Sequence, residues 1–206
     1  AAMMLSMAAC GNGTEEKKTE NSAGTEAQAA GGESTLVYGS NDYTRINPAM
    51  DEHGEINILI FSGLTSHDGE NQVAPGLAKS WDYDEDTLTY TFHLEENVKW
   101  HDGEPFTADD VKFTIDRLKD SDTIYSSNVK NVITVEVIDS TTVRITLDQE
   151  VPFFEYNLTF PILSSKFYSD KVFSPDIVPV GTGMYKVSEV QDSTLILSKN
   201  EYNQDY

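Results

Sequence analysis

Apolar and polar residues alternate strictly from Leu88 to Leu94, with Leu88, Tyr90, Phe92 and Leu94 on one side and Thr89, Thr91 and His93 on the other. That period of two predicts a strand with one buried and one wet face. The acidic run 82–86 just before it reads as the tip of a hairpin. After the strand, Trp100-His-Asp-Gly-Glu-Pro105 turns the chain and the period becomes helical, with Val111, Ile115 and Leu118 on one apolar stripe. The start of this helix is marked three ways. Thr107 is the N-cap, Asp110 closes a capping box, and Phe106 and Val111 occupy the two positions of a hydrophobic staple.

Weaker patterns fill in the rest. Residues 35–38 read as a short strand, 39–45 as a polar loop and 49–54 as an irregular loop. The run 55–62 (EINILIFS) is apolar enough for a buried helix, with Gly63 placed to end it. Residues 132–138 and 143–147 form a second alternating pair around Asp139-Ser-Thr. A short helix over 151–156 carries Pro152 near its first turn. Residues 160–163 read as a buried connector, 164–170 as a further short helix, and 184–190 with 194–198 as a hairpin over Gln191-Asp-Ser. From 11 to 34 there is only Gly, Ser, Thr, Glu, Ala, Lys and similar polar residues without a hydrophobic period. Such a stretch buries too little apolar surface to offset its ordering entropy and is read as a flexible tether.

Charge narrows the function classes. The 206 residues carry a formal net charge of −21. The tether contributes little of it, so the body repels nucleic-acid phosphates and anionic lipid headgroups, and nucleic-acid binding is not expected. Cys10 is the single cysteine, which excludes an intramolecular disulfide and a thiolate metal site. His53, His67, His93 and His101 are scattered without metal-ligand spacing, so no metal is expected, and His93 and His101 read as structural. Asp82-x-Asp84-x-Asp86 opens like a calcium loop, but Thr87 stands where that loop needs glycine and His93 where it needs a bidentate glutamate. A solvated hairpin tip is the better reading. No Gly-x-Ser-x-Gly elbow is present. Gly181-Thr-Gly183 lacks the long loop and Lys-Ser/Thr of a phosphate cradle, so its glycines are read as permitting positive φ in a turn. Neither an enzyme nor a cofactor is expected.

The identity and order of three blocks say more. LAKSW with YTFHL and VKWHDGEPFTADDVKFTI forms the first; Pro179-Val-Gly-Thr-Gly-Met-Tyr185 is the second; Asn200-Glu-Tyr202 is the third. Together they resemble the extracellular solute-binding proteins of family 5, the oligopeptide, dipeptide and nickel receptors of ATP-binding-cassette importers, with Met184 in place of the family's usual proline. The opening residues, an apolar run with small residues before Cys10, resemble a lipobox in which Met7 replaces the usual leucine. The sequence is therefore read as beginning inside a signal peptide, with Cys10 as the lipid attachment site.

The resemblance implies an α/β fold, a periplasmic-binding-protein type II clamshell, of which this chain supplies the N-terminal part of lobe one with its inserted subdomain. On that map 1–10 is partial signal peptide, 11–35 tether, 36–64 and 179–206 the first part of lobe one, and 65–178 the insert, with the second lobe expected after Tyr206. It places ligand contacts at Met50, Glu52, His53 and Gly54 in a loop at the cleft mouth, and at Tyr125. A peptide needs backbone groups to pair with and aromatic walls around its side chains. Nickel-carrying relatives use arginine on this lobe, whereas residues 157–166 (NLTFPILSSK) contain none and the chain has only Arg45, Arg117 and Arg144. A peptide ligand is therefore expected. The alternatives are a nickel chelate, heme or other small solute, or a signalling or adhesion lipoprotein without transport. Expected partners are an ABC permease with its ATPase and the membrane through the lipid anchor, for a monomer held outside the cytoplasm, on the outer face of the cell membrane or in a periplasm.

Overall fold

A four-stranded antiparallel sheet and one amphipathic helix account for most of the buried apolar surface. The computed structural model describes residues 54–170, 177–191 and 194–203, all within one packing unit. β3 (Ala78–Asp84) pairs with β4 (Thr89–Leu94), β4 with β6 (Thr142–Leu147), and β6 with β5 (Val132–Asp139), giving the order β3-β4-β6-β5. α2 (Ala108–Lys119) connects β4 to β5 and packs across β5 and β6. The alternation read from sequence holds: Tyr90, Phe92 and Leu94 are buried and Thr89, Thr91 and His93 are not. In register with them on β6, Val143 and Ile145 face the same core. Val111, Ile115 and Leu118 of α2 meet these strands from above, joined by Trp100, Phe106 and Phe160.

The hairpin tip is narrower than the acidic run. Asp82 pairs with Thr91 inside β3, and the turn itself is 85–88, with Leu88 in the left-handed region at φ 53°. Asp84 Oδ1 accepts the amides of Asp86 (3.0 Å) and Thr87 (3.3 Å). One carboxylate is thus spent on turn geometry, and His93 Nε2 lies 3.2 Å from Asp82 Oδ2 across the strands.

α1 (Gly54–Ile60) ends three residues before Gly63. Gly63 is required for a different reason, since a β-carbon there would meet the Thr159 carbonyl oxygen at 2.7 Å. Nor is α1 buried all round; Ile58 is exposed. Two 3₁₀ helices (Ile124–Val129 and Phe154–Leu158), the short α3 (Ser165–Tyr168) and the pair β1 (Thr65–His67) with β2 (Val73–Pro75) complete this part. The helix expected over 151–156 starts later, at Phe154, because Phe153 adopts φ 58° and cannot continue a right-handed helix. β7 (Tyr185–Gln191) and β8 (Thr194–Lys199) form the last hairpin.

Two cores result. The larger holds the sheet and α2. The smaller gathers Ile60 and Phe61 at the end of α1 with Leu163 and Tyr168, against Phe113 of α2 and Val187 and Leu197 of β7 and β8. The buried connector Phe160, Ile162 and Leu163 runs between them, with Leu163 in the smaller core and the other two in the larger.

Candidate functional site

Of the residues expected to touch ligand, Met50, Glu52 and His53 lie outside the described residues, as does Cys10. Gly54 is the first residue of α1. Tyr125 sits in the first 3₁₀ helix, half-buried, its ring 6.2 Å from that of Phe160 and its hydroxyl pushed above the ordinary phenol range by burial. α1 packs on β7, whereas the Tyr125 helix packs on α2 and the second 3₁₀ helix, so the two described candidates belong to different neighbourhoods.

What the structure does bring together is the three sequence blocks. The backbone of His101, in the turn after Trp100, donates to the Gly181 carbonyl at 2.9 Å. Its ring then grips the same turn: Nδ1 accepts the Gly181 amide at 3.1 Å, and Nε2 lies 3.3 Å from the Gly183 carbonyl. An Nδ1 that accepts must be bare, so the ring is the neutral tautomer with its proton on Nε2, donating to Gly183. Asn200 Nδ2 donates to that same carbonyl at 2.9 Å, and Asn203 Nδ2 to the Thr182 carbonyl at 3.1 Å. Tyr202 covers Gly103, whose φ of 85° would strain any other residue there. Lys99 Nζ lies 5.4 Å from the centroid of the Tyr202 ring.

The Gly-Thr-Gly turn also meets the end of α1. Gly183 donates to the Ile60 carbonyl at 2.8 Å. A β-carbon on Gly181 would lie 1.9 Å from the Ile60 oxygen, and one on Gly183 2.5 Å from the Leu59 oxygen. Neither glycine has positive φ; among the described glycines only Gly103 does. The expected reason for these glycines is thus corrected: they are small because a helix end lies against them, not because the turn is left-handed.

A second hub fixes α2 in place. Asp110, 3 % exposed, accepts the Thr107 amide at 2.9 Å and Trp100 Nε1 at 3.4 Å on one oxygen, and the Ser165 amide and hydroxyl, both at 2.7 Å, on the other. The residue that closes the capping box of α2 therefore also anchors the first turn of α3. Burial holds its carboxyl above the usual carboxylate range against the pull of these donors. Sequence reasoning identified the cap but not this second use, because Ser165 is distant in sequence.

Burial pushes the His101 imidazole below its ordinary value; nearby Lys186 adds to that, and Asp102 and Glu201 oppose it. A histidine whose folded value is depressed contributes stability fully present above its unfolded value, near pH 6.5, and lost as pH falls through the folded value. The stability advantage of the native chain over His101→Gln should be constant above pH 7 and shrink below about 6.5 by up to ~1.4 kcal/mol per pH unit. Urea unfolding of both proteins between pH 5 and 8 checks this, and a gap independent of pH would refute the neutral clamp.

The junction ties together segments remote in sequence through hydrogen bonds of His101, Asn200 and Asn203 to the Gly-Thr-Gly turn. Among the described residues no group of three or more His, Cys, Asp or Glu side chains could hold a metal ion, and no helix is long and apolar enough to cross a membrane.

Comparison with known proteins agrees with these blocks. Residues 72–206 match the family described as bacterial extracellular solute-binding proteins, family 5 Middle. The chain is 34 % identical over 175 residues to Di/tripeptide-binding protein 1 of Pseudomonas aeruginosa, covering 71 % of this chain and 32 % of that protein. It is 34 % identical over 198 residues to the dipeptide-binding protein of Escherichia coli, covering 80 % of this chain and 37 % of that one. Among solved structures, NikZ from Campylobacter jejuni in complex with Ni(L-His) superposes with a TM-score of 0.71 at 35 % identity, covering 79 % of this chain and 34 % of NikZ. The chain thus spans about a third of the length of the curated relatives it matches.

Proposed function

The chain belongs to the bacterial extracellular solute-binding proteins of family 5, and from that premise we propose that it is part of an extracytoplasmic receptor that captures peptides and delivers them to an ABC permease and its ATPase. The fold is that of the family's type II clamshell proteins. In this reading α1, β7 and β8 belong to the first part of lobe one and 65–178 to its insert, and the junction of His101 with the Gly-Thr-Gly turn locks the insert to the lobe. The larger core draws almost entirely on 65–178, and the smaller one joins Ile60, Phe61, Val187 and Leu197 of the lobe part to Phe113, Leu163 and Tyr168 of the insert. Capture works by a change in lobe closure rather than by chemistry. Met50, Glu52, His53, Gly54 and Tyr125 are the proposed ligand contacts on this side of the cleft, and Cys10 the proposed lipid anchor.

The observation that carries the peptide reading is that the curated relatives sharing a third of their aligned residues with this chain are peptide-binding proteins. The arginine pattern points the same way. Arg117 lies over the ring of Phe113, and Arg144, paired through its backbone between Thr91 and Glu136, is exposed on the sheet. The likeness to a nickel–histidine receptor favours a metal chelate as the second reading.

Thermal unfolding of the full gene product separates the two. Ligand at a hundred times its Kd adds about 2.7 kcal/mol of stability. Di- and tripeptides are expected to raise the midpoint by several degrees, with no response to Ni(II) plus L-histidine; the reverse outcome would transfer the assignment to the chelate.

A further inference from the structure

Beside the sheet edge lies a cleft of about 400 Å³ that the proposed receptor function does not use, lined by Trp81, Tyr83, Tyr90, Phe153, Glu150 and Glu155. Its floor is aromatic. Tyr83 and Tyr90 stack with centroids 4.4 Å apart, and Phe154 backs Tyr90 at 5.4 Å. Trp81 forms the continuation of the same strand edge, and Phe153, 70 % exposed, forms the rim. The left-handed backbone at Phe153 holds that large ring at the surface instead of in the core.

Two carboxylates accompany these rings. Glu155 Oε2 accepts the Tyr90 hydroxyl at 3.4 Å, and Glu150 lines the cleft with Tyr83. None of the ion pairs among the described residues involves Glu150 or Glu155. The cleft therefore combines the half-buried rings of Trp81 and Tyr83 and the exposed ring of Phe153, whose quadrupoles attract positive charge, with carboxylates that no lysine, arginine or histidine of the described residues neutralises. Its volume falls in the range of small-ligand sites.

We propose that this cleft binds an organic cation, a guanidinium or alkylammonium head that lies against Tyr83 and Trp81 and is paired by Glu150 and Glu155. A neutral alcohol of the same size gains only apolar contact there, and an anion meets the carboxylates of Glu150 and Glu155. The cation can belong to a free small molecule or to an arginine or lysine side chain of a peptide; the recognition chemistry is shared.

Incorporating 5-fluorotryptophan places a fluorine on Trp81 in the cleft and on Trp100 in the core, each resonance assigned by its Trp→Phe variant. Titration with butylguanidinium and with butylammonium should shift the Trp81 signal saturably while Trp100 stays fixed. The surface pair Glu150→Gln and Glu155→Gln, which keeps side-chain shape, should weaken binding about tenfold. Tyr83→Leu should weaken it as well. Saturation by 1-butanol at the same concentrations, or unchanged cation affinity in the double variant, would overturn the proposal. Tighter binding of a blocked Gly-Gly-Arg-Gly-Gly peptide than of butylguanidinium would support the site and assign it to a peptide side chain. Equal affinity would support it and assign it to a free cation, whereas silence from both would overturn it.

Discussion

Gly181→Ala should cost about 3 kcal/mol or more and lower the urea midpoint accordingly. The added carbon would sit 1.9 Å from the Ile60 oxygen, 2.8 Å from the Ile60 carbonyl carbon and 3.0 Å from Phe61 Cδ1. The first two are backbone atoms at the end of α1, so relief requires moving the helix or the turn. Moving the turn stretches the His101 bonds to Gly181 and Gly183, which tie it to the Trp100 loop. The damage should therefore reach both cores. Gly69→Ala is the matched control: nothing lies within 4 Å of its β-carbon, and the change should stay within about 0.5 kcal/mol. Equal effects at the two positions would show that the close approach at Gly181 is not what demands glycine.

Asp110→Ala is expected to be of similar size, about 3–4 kcal/mol. Five donors lose their acceptor at once: the Thr107 amide and hydroxyl, Trp100 Nε1, and the Ser165 amide and hydroxyl. Each buried donor left unmade costs about 1–3 kcal/mol, reduced where water can enter the space. Loss of a helix cap alone costs about 1 kcal/mol. Asp110→Asn should fall between, since one carboxylate oxygen becomes an amide nitrogen facing donors. Chemical unfolding of the three proteins gives the order; a cost for Asp110→Ala no larger than that of losing a cap would mean that the link to Ser165 contributes nothing.

These two sites also mark where the sequence was readable. Local periodicity was enough for β4, for the β5–β6 hairpin and for α2 with its cap, because strand alternation and a capping box are written within a few neighbouring residues. β1 and β2 are three residues each and carry no period, so they were not anticipated. The end of α1 was misplaced because Gly63 looks like a helix stop, whereas its use is a close contact with Thr159 across 96 positions of chain. The Gly-Thr-Gly turn failed for the same reason. A glycine required by a distant carbonyl looks identical in sequence to one required by its own φ. His101 reads as structural from its turn, and the structure agrees, but its partners lie 80 and 82 residues away. For the ligand site, sequence offered only resemblance: of the five proposed contacts, Gly54 and Tyr125 fall on described elements, and they pack in separate places. The aromatic cleft was not foreseen at all, since Trp81 and Tyr83 join Glu150 and Phe153 only through the sheet.

The receptor reading is tested most directly by native mass spectrometry of the full gene product purified from its own cells, recording what remains bound. A heterogeneous set of short peptides is the expected result. A single metal-bearing species or a sugar would contradict the peptide assignment.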